Sequence, residues 1–463
     1  MDRLIDEIVQ VRVSDAVAAA SATSVNTAAV VGVTTKDEAA TQVLYGQDAV
    51  KEAYETGTKR LVFLEPSLST AASGEVELKL GTVKVASAAI TTASTVRSML
   101  KALAGSFSVE GYSAHASSTR LTITSDAYGA TAASDGAFSI EYDDTGFSGS
   151  LNNTDGTAGA DIVKVTESFF EEEPNPGRIV CIPVGSDPTA GNIAETLETA
   201  LALGKDANNR EIDFYNVIIR LGEGATANGV ATLAAALETW CKANFKLTHI
   251  EVQDRAVAED ALAALSANPL TRVAIYFHKE TSGKSLAAAL VAQRCGNDPA
   301  RGTWAHKTLG SVSADGTSKE NLIDALDLGL NVYVKIAGVD RTYMGTTGSK
   351  TMFIDYVVKK DWLKFRTQEA VFNTLGSANN GDGVDYNDDG IQAIAAAMNS
   401  IFNTAMDNDH RYVLPDSTDI QVPKYADIPA EDKAVRNLPD VKATFSIQAS
   451  IHTVKTIELQ VVR

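Results

Sequence analysis

Two glycine-containing stretches are the part of this sequence best placed to do chemistry, because each lies between a strand-like run and a helical segment. The first, Gly222–Ala227, loosely fits the G-x-G-x-x-A fingerprint of dinucleotide-binding loops. Glycines there would let the backbone approach a pyrophosphate, and Glu251 or Asp254 could bind a ribose. However, Asn228–Gly229 interrupts the expected helix start and the two acids lie late, so an ordinary strand-to-helix turn explains the stretch as well.

The second stretch, Gly283–Ser285, carries the Gly-Lys-Ser ending of a phosphate-binding P-loop. Such a loop needs another glycine five residues earlier, so that backbone N–H groups can wrap the phosphates. His278 occupies that position. The sequence therefore argues against binding of a nucleoside triphosphate at this turn.

Candidate metal sites are also incomplete. Asp385–Gly390 resembles the start of a calcium-binding loop, but Ala396 stands where the bidentate Glu is required, so we predict a loop that caps a helix. The six histidines are scattered, and the three cysteines form no C-x-x-C pair. We predict no catalytic residue, no cofactor and no metal, although a catalytic triad assembled in space would leave no local motif.

The charge balance disfavours several partners. The chain has 463 residues and a formal net charge of -19, so nucleic acid, with its charged phosphate backbone, is a poor partner. No apolar run is long enough to span a bilayer, and we expect no membrane-spanning segment. The N-terminus, Met1–Glu7, is acidic and lacks the apolar core of a signal peptide, so we expect no secretory route.

The elements that would position such groups alternate between strand and helix from Arg178 onward. This alternation predicts a mixed sheet flanked by helices, and therefore an α/β fold, α+β overall. The predicted strands are Ile179–Val184, Phe214–Leu221, His249–Asp254, Val273–Phe277, Asn331–Ile336 and Phe353–Val358. The predicted helices are Ile193–Leu203, Ala231–Ala243, Ala258–Ser266, Leu286–Arg294, Trp362–Leu375 and Ile391–Thr404.

Residues 67–163 have a different character. Alternating β patterns, separated by Gly, Ser, Asn and Asp, predict a β-rich domain that is inserted into the core and projects from the outer surface. The predicted divisions are an N-terminal arm (1–26), a first part of the core (27–66), the insert (67–163), the α/β core (164–440) and a C-terminal strand arm (441–463).

Both ends of the chain look like short strands without an obvious local partner. At the C-terminus two alternating runs, separated near Thr453, predict a hairpin or two strands. A strand of this kind can add to the edge of a sheet in another subunit, and the alternative, pairing within one subunit, stays open. The residues predicted for these inter-subunit arms are Val9, Val11, Val13, Phe445, Ile447, Ile457, Leu459 and Val461.

From about Val273 onward the sequence resembles the core of the contractile tail sheath proteins of tailed phages and phage-tail-like particles. The resemblance covers most of the chain except the insert. It rests on the order in which the matching stretches follow one another along the chain. These stretches are Asn175–Arg178, Arg301–Gly310, Asn331–Val334, Asp361–Arg366 and Ala443–Ile447, and Val9–Val33 is similar to the N-terminal lead-in of the family.

The resemblance implies a structural protein and not an enzyme. Sheath subunits stack as six-fold rings around a tail tube, and their terminal arms complete a sheet shared with neighbouring subunits. Baseplate and tail terminator proteins are further partners. Contraction is then a rigid-body rearrangement that needs no nucleotide and drives the tube through a cell envelope. The implied location is a virion tail or phage-tail-like particle, assembled in the cytoplasm of a bacterial host.

A basic cluster is the predicted contact with the tube. Lys359, Lys360, Lys364 and Arg366 are the densest group of cations in this acidic chain. On a helix, Trp362 and its apolar neighbours would be buried and leave basic residues on a polar face, which could attract an acidic tube. A solvated helix face explains the cluster as well.

Two other classes of protein compete with a sheath subunit. The main alternative is a Rossmann-like enzyme that binds a nucleotide at Gly222–Ala227, and thermal stabilisation by nucleotides would favour it. The second is a non-contractile adhesion protein, suggested by the Thr/Ser/Gly-rich insert, but such proteins are usually exported.

Overall fold

A computed structural model of the chain describes residues 24–33, 40–54, 59–128, 132–154, 161–184, 190–222, 224–279, 284–316 and 319–452. It confirms the predicted α/β fold. The chain divides into two compact units, of which one comprises Lys51–Val163 and the other the residues on either side. Among the described helices, none combines the length and the apolar character needed to cross a membrane.

The strands are numbered along the chain. They are β1 (Ala28–Val33), β2 (Gln42–Leu44), β3 (Lys59–Leu64), β4 (Ser67–Leu68), β5 (Gly74–Leu80), β6 (Val83–Ile90), β7 (Tyr112–Ala116), β8 (Leu121–Tyr128), β9 (Phe138–Tyr142), β10 (Phe147–Ser148), β11 (Leu151–Thr154), β12 (Ile179–Val184), β13 (Asn216–Arg220), β14 (Leu247–Val252), β15 (Val273–Phe277), β16 (Asn331–Ile336), β17 (Val339–Tyr343), β18 (Asp419–Gln421) and β19 (Lys442–Thr444).

The α-helices are numbered in the same way. They are α1 (Gln47–Ala53), α2 (Val96–Ser106), α3 (Ala132–Asp135), α4 (Asp161–Glu171), α5 (Ala190–Leu203), α6 (Ala227–Asn244), α7 (Arg255–Ala264), α8 (Leu286–Gly296), α9 (Lys319–Leu328), α10 (Ile354–Ser377), α11 (Asp388–Met406) and α12 (Ala430–Ala434). Short 3-10 turns follow α10 at Ala378–Gly381 and precede α12 at Tyr425–Asp427.

The larger unit is built on an eight-stranded sheet in the order β17-β16-β15-β14-β13-β1-β12-β2. The six strands from β16 to β12 in this order run parallel, and β17 and β2 pair antiparallel at the two edges. The central strands are short, strongly apolar runs such as Val273–Phe277, which is buried at every position. Such runs are typical of parallel strands that are covered by helices on both faces.

Alternation along β14 assigns the helices to the two faces of the sheet. Ile250 and Val252 point into the main core, which also contains apolar residues of α5, α6, α7 and α9. His249 and Glu251 alternate with them and therefore point to the opposite face, where α8 contacts β1, β13 and β14. His249 and Glu251 are thus buried beneath α8.

Helix α10 corrects one prediction. Phe353–Val358 is not a strand, because α10 begins at Ile354. The β-branched residues suggested a strand, but Ile354, Val357 and Val358 are spaced along one helical face and all three are buried. On the same helix Phe372 is 39% exposed.

The smaller unit, the described part of Lys51–Val163, is rich in β-structure. It contains a four-stranded sheet (β11-β3-β8-β7), a three-stranded sheet (β6-β5-β9) and the pair β10-β4. Leu78, Leu100 and Ile123 lie in its apolar core. This unit begins earlier than the predicted residue 67, because β3 pairs with β8 and β11, so β3 does not belong to the core to which the predicted division 27–66 assigned it.

Candidate assembly interface

Gly222 and Gly224–Thr226 lie between β13 and α6, which Thr226 caps, whereas Glu223 lies outside the described residues. The Thr226 hydroxyl accepts a hydrogen bond from Gly229 N at 3.2 Å, so Asn228 and Gly229 lie inside the first turn and do not interrupt the helix. Asp254, one of the two candidate ribose-binding acids, caps α7 by accepting from Ala256 N at 2.8 Å. Both features are typical strand-to-helix connections.

Glu251, the other candidate ribose-binding acid, is fully buried and engaged within the fold. Its carboxylate accepts hydrogen bonds from Ser285 Oγ at 2.7 Å and from Ala287 N at 2.8 Å. Arg220 Nε lies 3.2 Å from the other carboxylate oxygen. The carboxylate of Glu251 therefore accepts hydrogen bonds from groups at the start of α8, where a negative charge is favourable.

The Gly-Lys-Ser turn is also used by the fold. Gly283 lies outside the described residues. Lys284 Nζ is 2.6 Å from Glu171 Oε2 at the end of α4. Ser285 caps α8, and its Oγ accepts a hydrogen bond from Ala288 N at 3.2 Å. The lysine and serine that would contact phosphates in a P-loop are thus paired with protein groups.

The acidic stretch Asp385–Gly390 forms the start of α11, in agreement with the prediction of a capping loop. Asn387 Oδ1 accepts a hydrogen bond from Gly390 N at 2.9 Å. Asp388 Oδ1 accepts one from Tyr425 N at 2.7 Å, which ties the loop to the segment before α12. Within the described residues no group of three or more His, Cys, Asp or Glu side chains could hold a metal ion.

Two of the four predicted tube-facing cations are buried, so their assignment to that surface is wrong. Lys359 is 1% exposed, and its ammonium contacts Asp355 Oδ2 and the backbone carbonyl of Gln448, both at 2.8 Å. Lys364 is 3% exposed and lies 4.4 Å from the centre of the Phe245 ring. Both long side chains turn towards the interior, which helical periodicity alone did not reveal.

The other two cations of this cluster are half-buried on α10. Lys360 Nζ lies 5.4 Å from the centre of the Tyr356 ring, and Arg366 pairs with Glu369 one turn further along the helix. These two residues are the members of the predicted cluster that reach the surface of the described chain.

A buried ion pair next to this cluster carried no sequence signal. Arg272 donates to both carboxylate oxygens of Asp361, at 2.6 and 2.7 Å. The Tyr215 hydroxyl donates to the same carboxylate at 2.6 Å. Tyr215 and Arg272 immediately precede β13 and β15, whereas Asp361 lies on α10, so no local spacing could have brought them together. The group fixes α10 across the amino ends of the parallel strands.

A two-stranded sheet near the C-terminus is the second feature that the sequence did not predict. β18 pairs antiparallel with β19, and Ile420 lies opposite Ala443. These two residues are half-buried and pack against a small apolar cluster centred on Val371, Ile394 and Met398. The alternation Asp-Ile-Gln-Val beginning at Asp419 is the signal that could have revealed β18.

The outer edges of this small sheet are open within the described chain. No hydrogen bond connects the backbone of β18 or β19 with any described segment other than the opposite strand of the pair. The flanking positions Asp419, Gln421, Lys442 and Thr444 are exposed. A pair of strands is marginally stable by itself and gains from a further strand.

The segment after β19 has partners within its own chain. The Phe445 ring lies 5.2 Å from the Phe402 ring, and Ile447 forms a β-bridge with Val413. Gln448 N donates to a backbone carbonyl, that of Tyr412, at 2.9 Å. The prediction that Phe445 and Ile447 lack a local partner is therefore wrong.

The described chain ends at His452, which is held at both its backbone and its side chain. His452 Nε2 is 2.7 Å from Thr303 Oγ1, and its carbonyl oxygen accepts a hydrogen bond from His306 Nε2 at 3.1 Å. The Phe353 ring lies 4.8 Å from the imidazole. The remaining predicted arm residues, Val9, Val11, Val13, Ile457, Leu459 and Val461, lie outside the described residues.

The edges of the large sheet, in contrast, are occupied. At β17, Thr342 N donates to Lys307 O at 2.8 Å, and His306 N donates to Thr342 O at 2.7 Å. At β2, the backbone of Val43 is bonded to the side chains of Asp206 and Arg210. A further strand that approached either edge would therefore find backbone groups that already have hydrogen-bond partners.

No protein-family model matches the chain, and no curated protein matches it either.

Proposed function

We propose that this chain is a structural subunit of a contractile tail sheath, which polymerises helically around a tail tube by exchange of terminal strands. The observation that carries the proposal is the open two-stranded sheet β18–β19 beside the C-terminal segment. The ordered resemblance of Arg301–Gly310 and the other stretches to sheath proteins supports it.

Strand addition explains how such a sheet would link subunits. A terminal segment of a neighbouring copy, which the sequence predicts to be a strand and which contains either Ile457 and Leu459 or Val9 and Val11, adds to an edge of β18–β19. Main-chain hydrogen bonds supply the linkage, and alternate side chains set the register. Because donor and acceptor are different parts of the chain, the contact is heterologous and continues from copy to copy as a helix or stacked six-fold rings.

The contacts of the nucleotide-binding candidates favour this proposal over the Rossmann-like enzyme. Glu251 and Asp254 are used as helix-capping acids, and Lys284 is paired with Glu171. A nucleotide at Gly222–Ala227 could bind its ribose to Glu251 or Asp254 only by displacing the helix-capping contacts of that acid. As part of the sheath proposal, we propose that the chain has no enzymatic activity and no cofactor.

The remaining parts of the proposal follow from the resemblance. Rings of this subunit surround a tail tube, meet baseplate and terminator proteins, and contract by rigid-body rearrangement to drive the tube through a cell envelope. The location is a virion tail or phage-tail-like particle assembled in a bacterial cytoplasm. Lys360 and Arg366 remain the candidates for contact with the tube.

Disulfide trapping between two differently labelled copies tests strand exchange directly. One copy carries Glu458→Cys and the other Gln421→Cys on β18. We expect a mixed disulfide between the two copies. We also expect tubes or stacked rings in negative-stain electron microscopy of the same samples. The three native cysteines are free and buried, so they contribute little background.

His115→Cys provides the matched control, because His115 is exposed on β7, the edge strand of a complete four-stranded sheet. Equal trapping at residues 421 and 115 would mean that strand addition is not selective. Trapping only when both cysteines are in one chain would mean that the terminus pairs within its own subunit, and the exchange mechanism would then be wrong.

Thermal unfolding with dinucleotides and nucleoside triphosphates distinguishes the alternative function. A sheath subunit should show no stabilisation, whereas an enzyme with a nucleotide site gains stability in proportion to the logarithm of ligand concentration. A reproducible rise in Tm that Gly222→Val abolishes would replace the sheath proposal with the enzyme.

A further inference from the structure

Edge strand β2 has its outward backbone groups bonded by side chains and not by another strand. Val43 lies opposite Val180 of β12, in the middle of a strand of three residues. Val43 N donates to Asp206 Oδ2 at 3.1 Å, and the Arg210 guanidinium donates to Val43 O. One loop therefore supplies an acceptor and a donor to the same residue, as a paired strand would.

The loop that presents these two side chains is braced by its own hydrogen bonds. The second carboxylate oxygen of Asp206 accepts from Asn208 N and from Arg210 N, both at 2.9 Å. Asp206 N in turn donates to Arg210 O at 2.9 Å, which closes the turn. The Arg210 guanidinium lies 5.7 Å from the centre of the Tyr45 ring. Asp206 and Arg210 are thus held in position independently of Val43.

We propose that Asp206 and Arg210 form an edge guard: they occupy the hydrogen-bonding groups of β2 and prevent a second copy of this chain from adding a strand there. An unguarded edge is a template for pairing between chains. The strands behind β2 are strongly apolar, and Val43 and Leu44 are themselves buried, so a misplaced strand would extend a well-formed sheet.

This inference does not depend on the sheath proposal, because any protein with this sheet would gain from a closed edge. In an assembly that works by strand exchange, the guard has an added consequence. It leaves β18–β19 as the pair of strands in the larger unit to which a further strand can add, and it prevents irregular contacts at β2.

The double variant Asp206→Ala, Arg210→Ala of the full chain tests the guard. We expect hydrogen exchange at the Val43 amide to accelerate by about tenfold or more, because the amide loses its acceptor. We also expect irregular dimers and larger species in mass photometry at a concentration where the unmodified chain shows none. Arg210→Ala alone, which keeps the bonds within the loop, should show the same association more weakly and serves if the double variant fails to fold.

Val43→Pro in the double-variant background shows whether the new contact uses this edge. Proline removes the outward N–H and is tolerated at sheet edges, so the added association should disappear. Persistent association would place the contact elsewhere and overturn the proposal. If hydrogen exchange at the Val43 amide accelerated in the double variant but the protein did not associate, the proposal would be overturned as well.

Arg178→Ala is the matched control for loss of a half-buried arginine that donates to backbone carbonyls. Arg178 bonds to the carbonyls of Asp213 and Glu211, and Val43 is not among its partners. We expect no gain of association. Association equal to that of the double variant would show that general destabilisation, and not an opened edge, is responsible.

Discussion

The ammonium of Lys359 lies 2.8 Å from the backbone carbonyl oxygen of Gln448, and this contact ties α10 to the C-terminal segment. The same nitrogen is 2.8 Å from Asp355 Oδ2 on the preceding helical turn. Lys359 is 1% exposed and Asp355 5% exposed, so the pair is shielded from water. A residue that the sequence suggested for an external surface therefore anchors the segment from which a terminal arm would extend.

Removing the Lys359 charge should loosen this anchor. Lys359→Met leaves the Asp355 carboxylate buried without its cation and the Gln448 carbonyl without a donor. We expect the free energy of unfolding to fall by about 3 kcal/mol, the usual cost of breaking a buried pair. Urea unfolding measures the loss, and faster hydrogen exchange at 445–452 would locate it.

The double variant Asp355→Asn, Lys359→Met separates the cost of the unpaired Asp355 carboxylate from the cost of losing the contact with the Gln448 carbonyl. It should recover part of the lost stability, while exchange at 445–452 stays fast because the Gln448 carbonyl still lacks its donor. Lys360→Met, on the half-buried neighbour, should cost about 1 kcal/mol or less. If Lys360→Met were as damaging as Lys359→Met, burial of the ammonium would not be the cause.

The Arg272–Asp361 pair should make a larger contribution. Within the described part of the chain, Arg272→Met leaves the buried Asp361 carboxylate with the Tyr215 hydroxyl as its donor, and we expect a loss of about 3–5 kcal/mol. Replacing both partners by apolar residues, as in Arg272→Met, Asp361→Leu, should restore much of it. Arg366→Ala provides the comparison at a half-buried ion pair that reaches the surface, and it should cost about 0.5 kcal/mol. Equal losses in the single and double variants would contradict the argument.

The parallel core could be predicted because its strands are buried on both faces. Runs such as Ile179–Val184 and Val273–Phe277 are apolar throughout and match the observed strands residue for residue. The failure at Phe353–Val358 has a physical reason: β-branched residues favour strands locally, but tertiary burial of one helical face overrides that preference. Strand β3 was assigned to the wrong unit because pairing partners are not encoded locally.

The candidate interface could not be predicted to the same extent. β18 and β19 are three residues each and are separated by 20 residues, so the short alternation at Asp419 does not indicate which strand it pairs with. The partners of Lys359 and Asp361 come from distant segments, so their burial depends on tertiary structure. Helical spacing predicted that Trp362 is buried, but it is half-buried, and the same spacing could not show that Lys359 and Lys364 are buried instead.

Glu251 should behave as a structural acid. Glu251→Gln replaces one acceptor oxygen by an NH2 group, which cannot accept, so either Arg220 or the pair Ser285 and Ala287 loses its acceptor. We expect a loss of about 2 kcal/mol in urea unfolding, because a buried donor is left unsatisfied. Asp254→Asn should change stability by less than about 1 kcal/mol, because asparagine also caps helices well. Nucleotide-dependent rescue of Glu251→Gln would contradict a structural role.

A buried histidine should make the protein sensitive to mild acid. His249 is fully buried, with Nδ1 3.0 Å from the Tyr276 hydroxyl and Nε2 3.1 Å from Asn216 Oδ1. Its ring also stacks on Trp304 with centroids 5.2 Å apart. Burial disfavours the charged imidazolium and lowers the pKa of His249 to about 3. The folded protein therefore keeps this histidine neutral throughout the range where an unfolded chain takes up a proton.

The sign of the effect follows from proton uptake. Below the pKa of about 6.5 in the unfolded chain, the unfolded state binds more protons than the folded state, so stability falls as pH falls from 6.5 towards 3. The loss should reach about 2 kcal/mol at pH 5. His249→Gln, which keeps a donor and an acceptor but does not titrate, should be less stable at pH 7.5 and show a flatter dependence down to pH 5. Urea unfolding across this range measures both slopes, and an unchanged slope in the variant would assign the acid sensitivity to other groups.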